Sequence, residues 1–125
     1  MNNLLLIFLG GGLGSLARYG VGRGLAAYSV NLPYGTLAAN VLACVILGFF
    51  TGWMALRESE LAMHYRAFLA VGFCGGFSTF STFSNETLAM LLNDRWGDAV
   101  INVGLSLIFC LLASFLGLWL GKTMV

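Results

Sequence analysis

Charged residues are scarce in this chain. Asp, Glu, Lys and Arg make up 9% of its 125 residues, and the formal net charge is +1. A soluble domain carries about 25% charged residues because it must hydrate a large surface. The hydrophobic fraction of 59% excludes intrinsic disorder, and the small net charge gives no basic patch for nucleic acid. The composition therefore predicts an integral membrane protein that does not bind nucleic acid.

Residues that commonly carry catalysis or metal binding are also few. His64 is the single histidine and lies in the polar segment 57–66, whereas Cys44, Cys74 and Cys110 each lie in a different apolar segment. No CxxC pair or other metal-ligand spacing is present, so we interpret the cysteines as reduced thiols that pack as small hydrophobic residues. The apolar segments cannot assemble a Ser/His/Asp triad or a carboxylate pair. We therefore expect no enzyme.

Four apolar segments are present instead, separated by charges and turn residues. They cover residues 4–22, 34–56, 66–92 and 99–120, and each is long enough for a helix of about 20 residues to cross a membrane. The connections are only long enough to reverse the chain. The sequence thus predicts an all-α, multi-pass protein with a single transmembrane domain over residues 1–125.

The cationic residues do not define an orientation. With four spans, Arg57, Arg66 and Lys122 fall on one side of the membrane and three others on the opposite side. The second set consists of Arg18, Arg23 and Arg95. The positive-inside rule therefore gives equal counts. Two interpretations remain open at this point: a weak topology signal completed by a partner protein, or insertion in both orientations with assembly of an antiparallel homodimer.

Glycine is abundant, and much of it has small-xxx-small spacing. The chain contains 17 glycines, with pairs at Gly10/Gly14, Gly20/Gly24, Gly48/Gly52, Gly72/Gly76 and Gly117/Gly121. This spacing lets the backbones of membrane helices approach closely. Taken together, the pairs indicate a tightly packed helical bundle.

The third apolar segment has an unusual polar and glycine-rich stretch over residues 72–86. Glycine is a poor helix former, and Ser and Thr compete for backbone hydrogen bonds. We expect the helix to break near Gly75–Thr79. Carbonyl groups released by a break inside a membrane protein can coordinate a cation, and Gly75 and Ser78 are the natural donors.

Beyond the predicted break, hydroxyl and phenyl side chains alternate. Phe80 and Phe83 share a helix face beside two polar stripes. One stripe contains Thr79, Thr82 and Glu86, and the other contains Ser78, Ser81 and Asn85. Hydroxyl groups and the positive edges of phenyl rings could line a path for an anion. Alternatively, the phenylalanines face lipid and the hydroxyls satisfy the broken backbone.

Other polar residues inside the apolar segments favour the pore interpretation, because buried polar groups in membranes are costly and usually line a site or path. They are Arg18, Asn40, Asn102 and Ser106. Glu86 lies about one turn from the end of its segment, which places it at a vestibule rather than at the centre of the membrane.

The stretch Gly75–Glu86, GGFSTFSTFSNE, resembles the GGxTTFSTFSxE signature of the Fluc (CrcB) fluoride channels. The resemblance continues in GGLGSLAR, which ends at Arg18, and in GTLAAN, which ends at Asn40. The three matches occur in the family's order and at its total length. On this basis the chain is identified as a member of that family.

The resemblance implies an antiparallel, dual-topology homodimer with two pores in the bacterial plasma (inner) membrane. Such a channel would export fluoride passively and exclude chloride, which relieves fluoride toxicity. Phe80, Phe83, Asn40, Ser81 and Thr82 match pore positions of the family. The resemblance also assigns Arg18 and Glu86 to the vestibule, and the carbonyls of Gly75 and Ser78 to a structural Na⁺ at the dimer centre.

Three positions depart from the commoner family pattern. Ser78 replaces threonine, Cys110 stands where the fourth span often has serine, and Asn102 stands where some members have tyrosine. The contribution of Cys110, Asn102 and Ser106 to the polar track is therefore open.

Two other classes remain as alternatives. A small four-span, dual-topology, proton-coupled multidrug antiporter needs a carboxylate embedded in the membrane, and the first, second and fourth segments have none. A non-conducting accessory protein would use the glycine pairs for packing alone.

Overall fold

The computed structural model describes residues 2–125, and all regular structure in that range is helical. Helix α1 covers Asn3–Gly24, α2 covers Tyr34–Met54, and α3 covers residues 60–77. Helix α4 covers Phe80–Leu92 and α5 covers Trp96–Thr123. Helices α3 and α4 together form one span, so four segments are long and apolar enough to cross a membrane. The predicted all-α, four-span architecture is confirmed.

Helix α3 changes its winding along its length. It is α-helical over Glu60–Tyr65, π-helical over Arg66–Cys74 and α-helical again over Gly75–Phe77. π-Helical segments are rare and usually short, and they are frequent at functional sites. This wide section packs against α1, and it was not predicted from the sequence.

Three helices begin at side chains that accept a hydrogen bond from the first turn. Asn2 caps α1 by accepting from Leu4 N–H, and Ser59 caps α3 by accepting from Ala62 N–H at 3.1 Å. Thr79 caps α4 in the same way. Such caps satisfy amide groups that have no partner inside the helix.

Several helix ends differ from the predicted spans. Helix α2 ends at Met54 rather than at residue 56, and α3 begins at Glu60 rather than at Arg66. The Ser59 cap and the acidic Glu60 in the first turn explain the earlier start, because both stabilise a helix N-terminus. His64 consequently lies on a helix and is half-buried, instead of lying in a polar loop. Helix α1 extends to Gly24, beyond the predicted end at residue 22. Helix α5 covers Trp96–Thr123, longer at both ends than the predicted 99–120.

Glycine pairs bring α1 and α3 into backbone contact. A Cβ atom on Gly10 would collide with the carbonyl of Phe68, and one on Gly14 would lie 2.9 Å from the amide nitrogen of Phe77. From the other side, a Cβ on Gly72 or Gly76 would lie 3.1 Å from a glycine Cα of α1. Gly10 contacts residues 68–73 and Gly14 contacts residues 73–77. Because the residue numbers rise in the same direction on both helices, the two helices run parallel.

A second crossing of the same kind joins α2 and α5. Gly48 and Gly52 face the backbone of Ser114, Leu118 and Lys122. Reciprocally, Gly117 and Gly121 face the backbone of Val45, Phe49 and Trp53. Four of the five glycine pairs seen in the sequence thus lie at helix crossings, with one pair from each helix at each of the two crossings. At Gly20 and Gly24, by contrast, an added Cβ would have no atom of another segment within 4 Å.

The interruption between α3 and α4 lies at Ser78 and Thr79, whose backbones are extended with ψ of 156° and 115°. It falls within the predicted range, but Gly75 and Gly76 remain helical. Gly76 is held against Gly11 of α1, so helix packing overrides the low helix propensity of the two glycines.

The crossing of α2 and α5 allows a direct test. We expect Gly117→Ala to destabilise the protein by about 1–3 kcal/mol, because the new methyl group overpacks the contact. A Cβ there would lie 2.8 Å from the amide nitrogen of Phe49. The control is Gly104→Ala on the same helix, where no atom lies within 4 Å. Thermal unfolding in detergent measures both variants, and equal stability of the two would contradict the role assigned to the crossing.

Candidate functional site

The side chain of Asn40 compensates for the interruption of the third span. The Thr79 N–H donates to Asn40 Oδ1 at 2.7 Å, and Asn40 Nδ2 donates to the Thr79 carbonyl at 3.2 Å. A backbone break inside a membrane is tolerated only where such partners exist. This pair uses one of the two amide hydrogens of Asn40, so the other is available to a further acceptor.

The Thr79 hydroxyl connects the polar residues at the start of α4. It accepts from Thr82 N–H at 3.2 Å and donates to Thr82 Oγ1 at 3.0 Å. Ser81 Oγ lies 3.3 Å away. Thr79 is only 7% exposed. Because Thr82 Oγ1 accepts in this pair, its own hydroxyl hydrogen remains free to donate elsewhere.

These hydrogen bonds release two backbone carbonyls. In a continuous α-helix the N–H of Thr79 would bond to the carbonyl of Gly75, and the N–H of Thr82 would bond to that of Ser78. Both N–H groups donate to side chains instead, to Asn40 and to Thr79 respectively. The carbonyls of Gly75 and Ser78 therefore lack their usual α-helical donors. They are the two carbonyls that were selected from the sequence.

A cavity of about 230 Å³ lies beside the interruption. Its polar lining comes from α1, α2 and the start of α4: Ser15, Arg18, Tyr19, Thr36, Thr79 and Thr82. Hydroxyl groups and a guanidinium donate hydrogen bonds, and the guanidinium adds positive charge. The cavity is therefore suited to an anion, and it brings Arg18 and Thr82 to one place.

Glu86 lies next to this cavity and is held by α2. The Thr36 hydroxyl donates to Glu86 Oε1 at 2.5 Å, and the carboxyl side chain is half-buried. On its other side, Glu86 lines a second cavity of about 240 Å³ together with Asn93 and Arg95. Glu86 thus separates two polar cavities near one end of the bundle.

Arg95 ties together the two turns at that end. Its guanidinium forms an ion pair with Asp98 at 2.8 Å and donates to the carbonyl of Asn31. Asp94 adopts a positive φ of 58°, which Asp tolerates better than most residues and which reverses the chain before α5. Arg95 therefore stabilises the rim of the second cavity.

Phe80 and Phe83 lie side by side on α4, as their spacing predicts. Their ring centroids are 5.7 Å apart and the planes are inclined at 46°. Phe83 is half-buried, whereas Phe80 is 80% exposed on a single chain. Ser81, Ser84 and Asn85 on the same helix are also exposed.

The polar residues of α5 have other partners. Asn102 is 3% exposed and donates to Thr87 Oγ1 at 3.0 Å, and Thr87 in turn donates to the carbonyl of Phe83. Asn102 thus ties α5 to α4. Cys110 is half-buried beside Cys44 of α2, and Ser106 is half-buried.

The structure gathers most of the residues selected from the sequence around the interruption. Asn40, Ser81 and Thr82 meet at Thr79, Arg18 joins them across the cavity, and Phe80 and Phe83 follow on α4.

Two further residues have roles that were not predicted from the sequence. Thr36 holds Glu86, and Thr79 connects the interruption to α4. Thr36 lies four residues before Asn40 and so on the same helix face, and Thr79 occupies a helix N-cap position, which threonine favours. Both signals were present in the sequence.

Comparisons with known proteins identify the family of this chain. The family model described as CrcB-like protein, Camphor Resistance (CrcB), matches residues 5–118. A protein of Caulobacter sp. (strain K31) named fluoride-specific ion channel FluC is 40% identical over 98% of this chain and 96% of its own length. Proteins with the same name from Bacteroides fragilis (strain YCH46) and Pyrococcus abyssi (strain GE5 / Orsay) are 37% and 40% identical, each over 98% of both chains. The family match and the four apolar spans together establish a multi-pass membrane protein, and the chain belongs to the CrcB-like protein family.

Proposed function

We propose that this protein is a fluoride-selective channel that lets fluoride leave the cell passively and so relieves fluoride toxicity. The observation that carries the proposal is the group of hydroxyl and phenyl side chains beside the interruption of the third span, with a single cationic side chain, Arg18, in the adjacent cavity. Thr79 and Thr82 line the Arg18 cavity and are joined by their hydroxyls, and the rings of Phe80 and Phe83 follow on α4; in the proposal fluoride passes along these groups. The relatives named fluoride-specific ion channels support the identity of the ion.

The chemistry of this path suits a small and strongly hydrated anion. An apolar pore without donors would exclude fluoride, because nothing would replace its water. The free hydrogens of Thr82 and Asn40, together with the positive edges of the phenyl rings, replace that water in part. Fixed cations along the whole path would bind the ion too tightly for release. Arg18 is confined to the cavity at one end.

The positions of the carboxylates do not favour the alternative of an antiporter that exchanges protons for cationic drugs. Helices α1 and α2 contain none, and Asp98 at the start of α5 is paired with Arg95. Glu86 accepts a hydrogen bond from Thr36 near one end of its span. An antiporter needs a carboxylate that is accessible at the substrate site and changes its protonation.

The phenyl rings provide the central test of conduction. We expect Phe80→Ile or Phe83→Ile to lower fluoride efflux from liposomes by at least about tenfold, because isoleucine fills the space without a positive ring edge. A fluoride electrode measures the initial rate. Phe115→Ile is the control, since Phe115 is 70% exposed on α5 and away from the interruption. Absence of flux from well-folded wild-type protein would refute the channel, and drug-dependent proton flux would favour an antiporter.

We further propose that two copies assemble as an antiparallel homodimer with two pores, each lined by both subunits. On one chain, the exposed surface of α4 contains Phe80, Ser81, Ser84 and Asn85. Hydroxyl and amide groups are costly against lipid, so a second copy is the natural cover for this surface. The three-against-three distribution of cationic residues permits insertion in both orientations.

Mass and topology measurements test this assembly separately from conduction. We expect the detergent-solubilised protein to have twice the mass of one chain by light scattering. In membrane vesicles, a C-terminal tag should be accessible from each side in about half of the molecules, because the charge counts are equal. A single accessible side would contradict the dual topology, and a monomer in detergent and in lipid would contradict the dimer.

The released carbonyls support a structural Na⁺ site at the centre of this dimer. Gly75 is exposed on one chain, and the carbonyls of Gly75 and Ser78 lack their usual helical donors. Two chains would contribute four hard oxygen ligands, a donor set that suits a hard cation. A bound Na⁺ would link the two interruptions and raise the positive potential near the anion path.

Sodium replacement distinguishes a structural ion from a transported one. We expect fluoride efflux to persist when an organic cation replaces Na⁺ on both sides of the liposome membrane, because a tightly held ion does not exchange during the assay. The initial rate should match that of a parallel sample kept in sodium. A rapid loss of flux that sodium restores would contradict a tightly held structural ion.

A further inference from the structure

A large cavity lies at the other end of the bundle, away from Arg18. It has a volume of about 480 Å³ and is formed where α2 ends and α3 begins. Its lining includes four polar side chains and two flexible apolar ones: Arg57, Glu58, Ser59, Arg66, Met54 and Met63. None of these residues belongs to the proposed fluoride path.

Aromatic residues indicate the depth of this cavity in the membrane. Trp53 and Tyr65 lie next to it with their ring centroids 6.5 Å apart in an edge-to-face arrangement. Trp and Tyr concentrate at the level of the lipid headgroups. The guanidinium carbon of Arg57 lies 4.3 Å from the centroid of the Trp53 ring. A guanidinium that stacks on an aromatic ring by its face keeps its N–H edge free to donate.

The charges in the cavity leave an excess of one positive charge. Two guanidinium groups, of Arg57 and Arg66, lie near one carboxylate, that of Glu58. Within residues 2–125, the ion pair found is Arg95–Asp98 at the opposite end, so neither arginine of the cavity is engaged in one. A phosphodiester carries a single negative charge, and its free oxygens match the paired N–H groups of arginine.

We propose that this cavity binds the phosphodiester headgroup of an anionic phospholipid. Arg57 and Arg66 donate to the phosphate oxygens, and the glycerol and first acyl carbons lie along Met54 and Met63, whose side chains adapt to irregular apolar partners. A lipid is favoured over free phosphate because the aromatic residues place the cavity at headgroup depth. The surface of an anionic leaflet also attracts basic groups at that depth.

Lipid-dependent stability tests the site. Thermal unfolding is followed in neutral detergent with added phosphatidylglycerol or phosphatidylcholine for the wild type and for Arg57→Gln/Arg66→Gln. We expect phosphatidylglycerol to raise the unfolding temperature of the wild type more than phosphatidylcholine does. The double variant should bind phosphatidylglycerol at least about tenfold more weakly, since two charge-assisted hydrogen bonds are lost.

Two further variants guard against indirect effects. Arg23→Gln removes an exposed arginine at the opposite end and should respond to phosphatidylglycerol like the wild type. Arg57→Lys/Arg66→Lys keeps both charges but loses the paired donors, and should show intermediate affinity. If the glutamine variant does not fold, the lysine variant carries the test.

The outcomes separate the possible ligands. Equal effects of the two lipids on the wild type, or an undiminished effect of phosphatidylglycerol on both double variants, would overturn the proposal. Stabilisation by inorganic phosphate to the same extent as by phosphatidylglycerol would identify a free-phosphate site and overturn the lipid assignment. Fluoride efflux of the glutamine variant in phosphatidylcholine liposomes should equal that of the wild type, so this test is independent of the proposed channel.

Discussion

Direct contact between helix backbones is the constraint on which the rest of this protein depends. In lipid, apolar side chains give little drive for helices to associate, so close packing must supply it. Gly10 and Gly14 lie against the backbone of α3, where Gly72 and Gly76 lie against that of α1, and Gly48, Gly52, Gly117 and Gly121 do the same between α2 and α5. At these crossings even a methyl group meets backbone. The crossings fix α3 against α1 and α5 against α2, and thereby fix the level at which the third span is interrupted.

The interruption is stable because neighbouring elements replace the lost helical hydrogen bonds. Asn40 reaches from α2 to both backbone groups of Thr79, and the Thr79 hydroxyl begins α4. Unlike a water-filled gap, this arrangement leaves few polar groups without partners. Each group left without a partner is a hydrogen-bond donor or acceptor with a defined direction. They are the carbonyls of Gly75 and Ser78 and the free hydrogens of Asn40 and Thr82. One pair of hydrogen bonds thus sets up acceptors for a cation and donors for an anion.

Much of this arrangement could be predicted from the sequence, because the signals are local. Composition predicted four spans, and four of the glycine pairs at four-residue spacing proved to be packing surfaces. The position of the interruption was less predictable. Low helix propensity pointed to Gly75 and Gly76 as well, but contact with Gly11 keeps Gly76 helical. The break moves to Ser78 and Thr79, where Asn40 is within reach. That outcome depends on the register between α2 and α4, which no single segment encodes.

The choice of which spans are in close contact affects how the chain reaches its folded state. Each close contact joins a span to the next but one along the chain, α1 to α3 and α2 to α5. During synthesis, the first two spans therefore enter the membrane before either has its closest neighbour. The crossing of α1 with α3 can form only after the third span has been made, and that of α2 with α5 only after the last. Compact structure thus arises late, and the long sequence separation of these contacts is the type that slows folding.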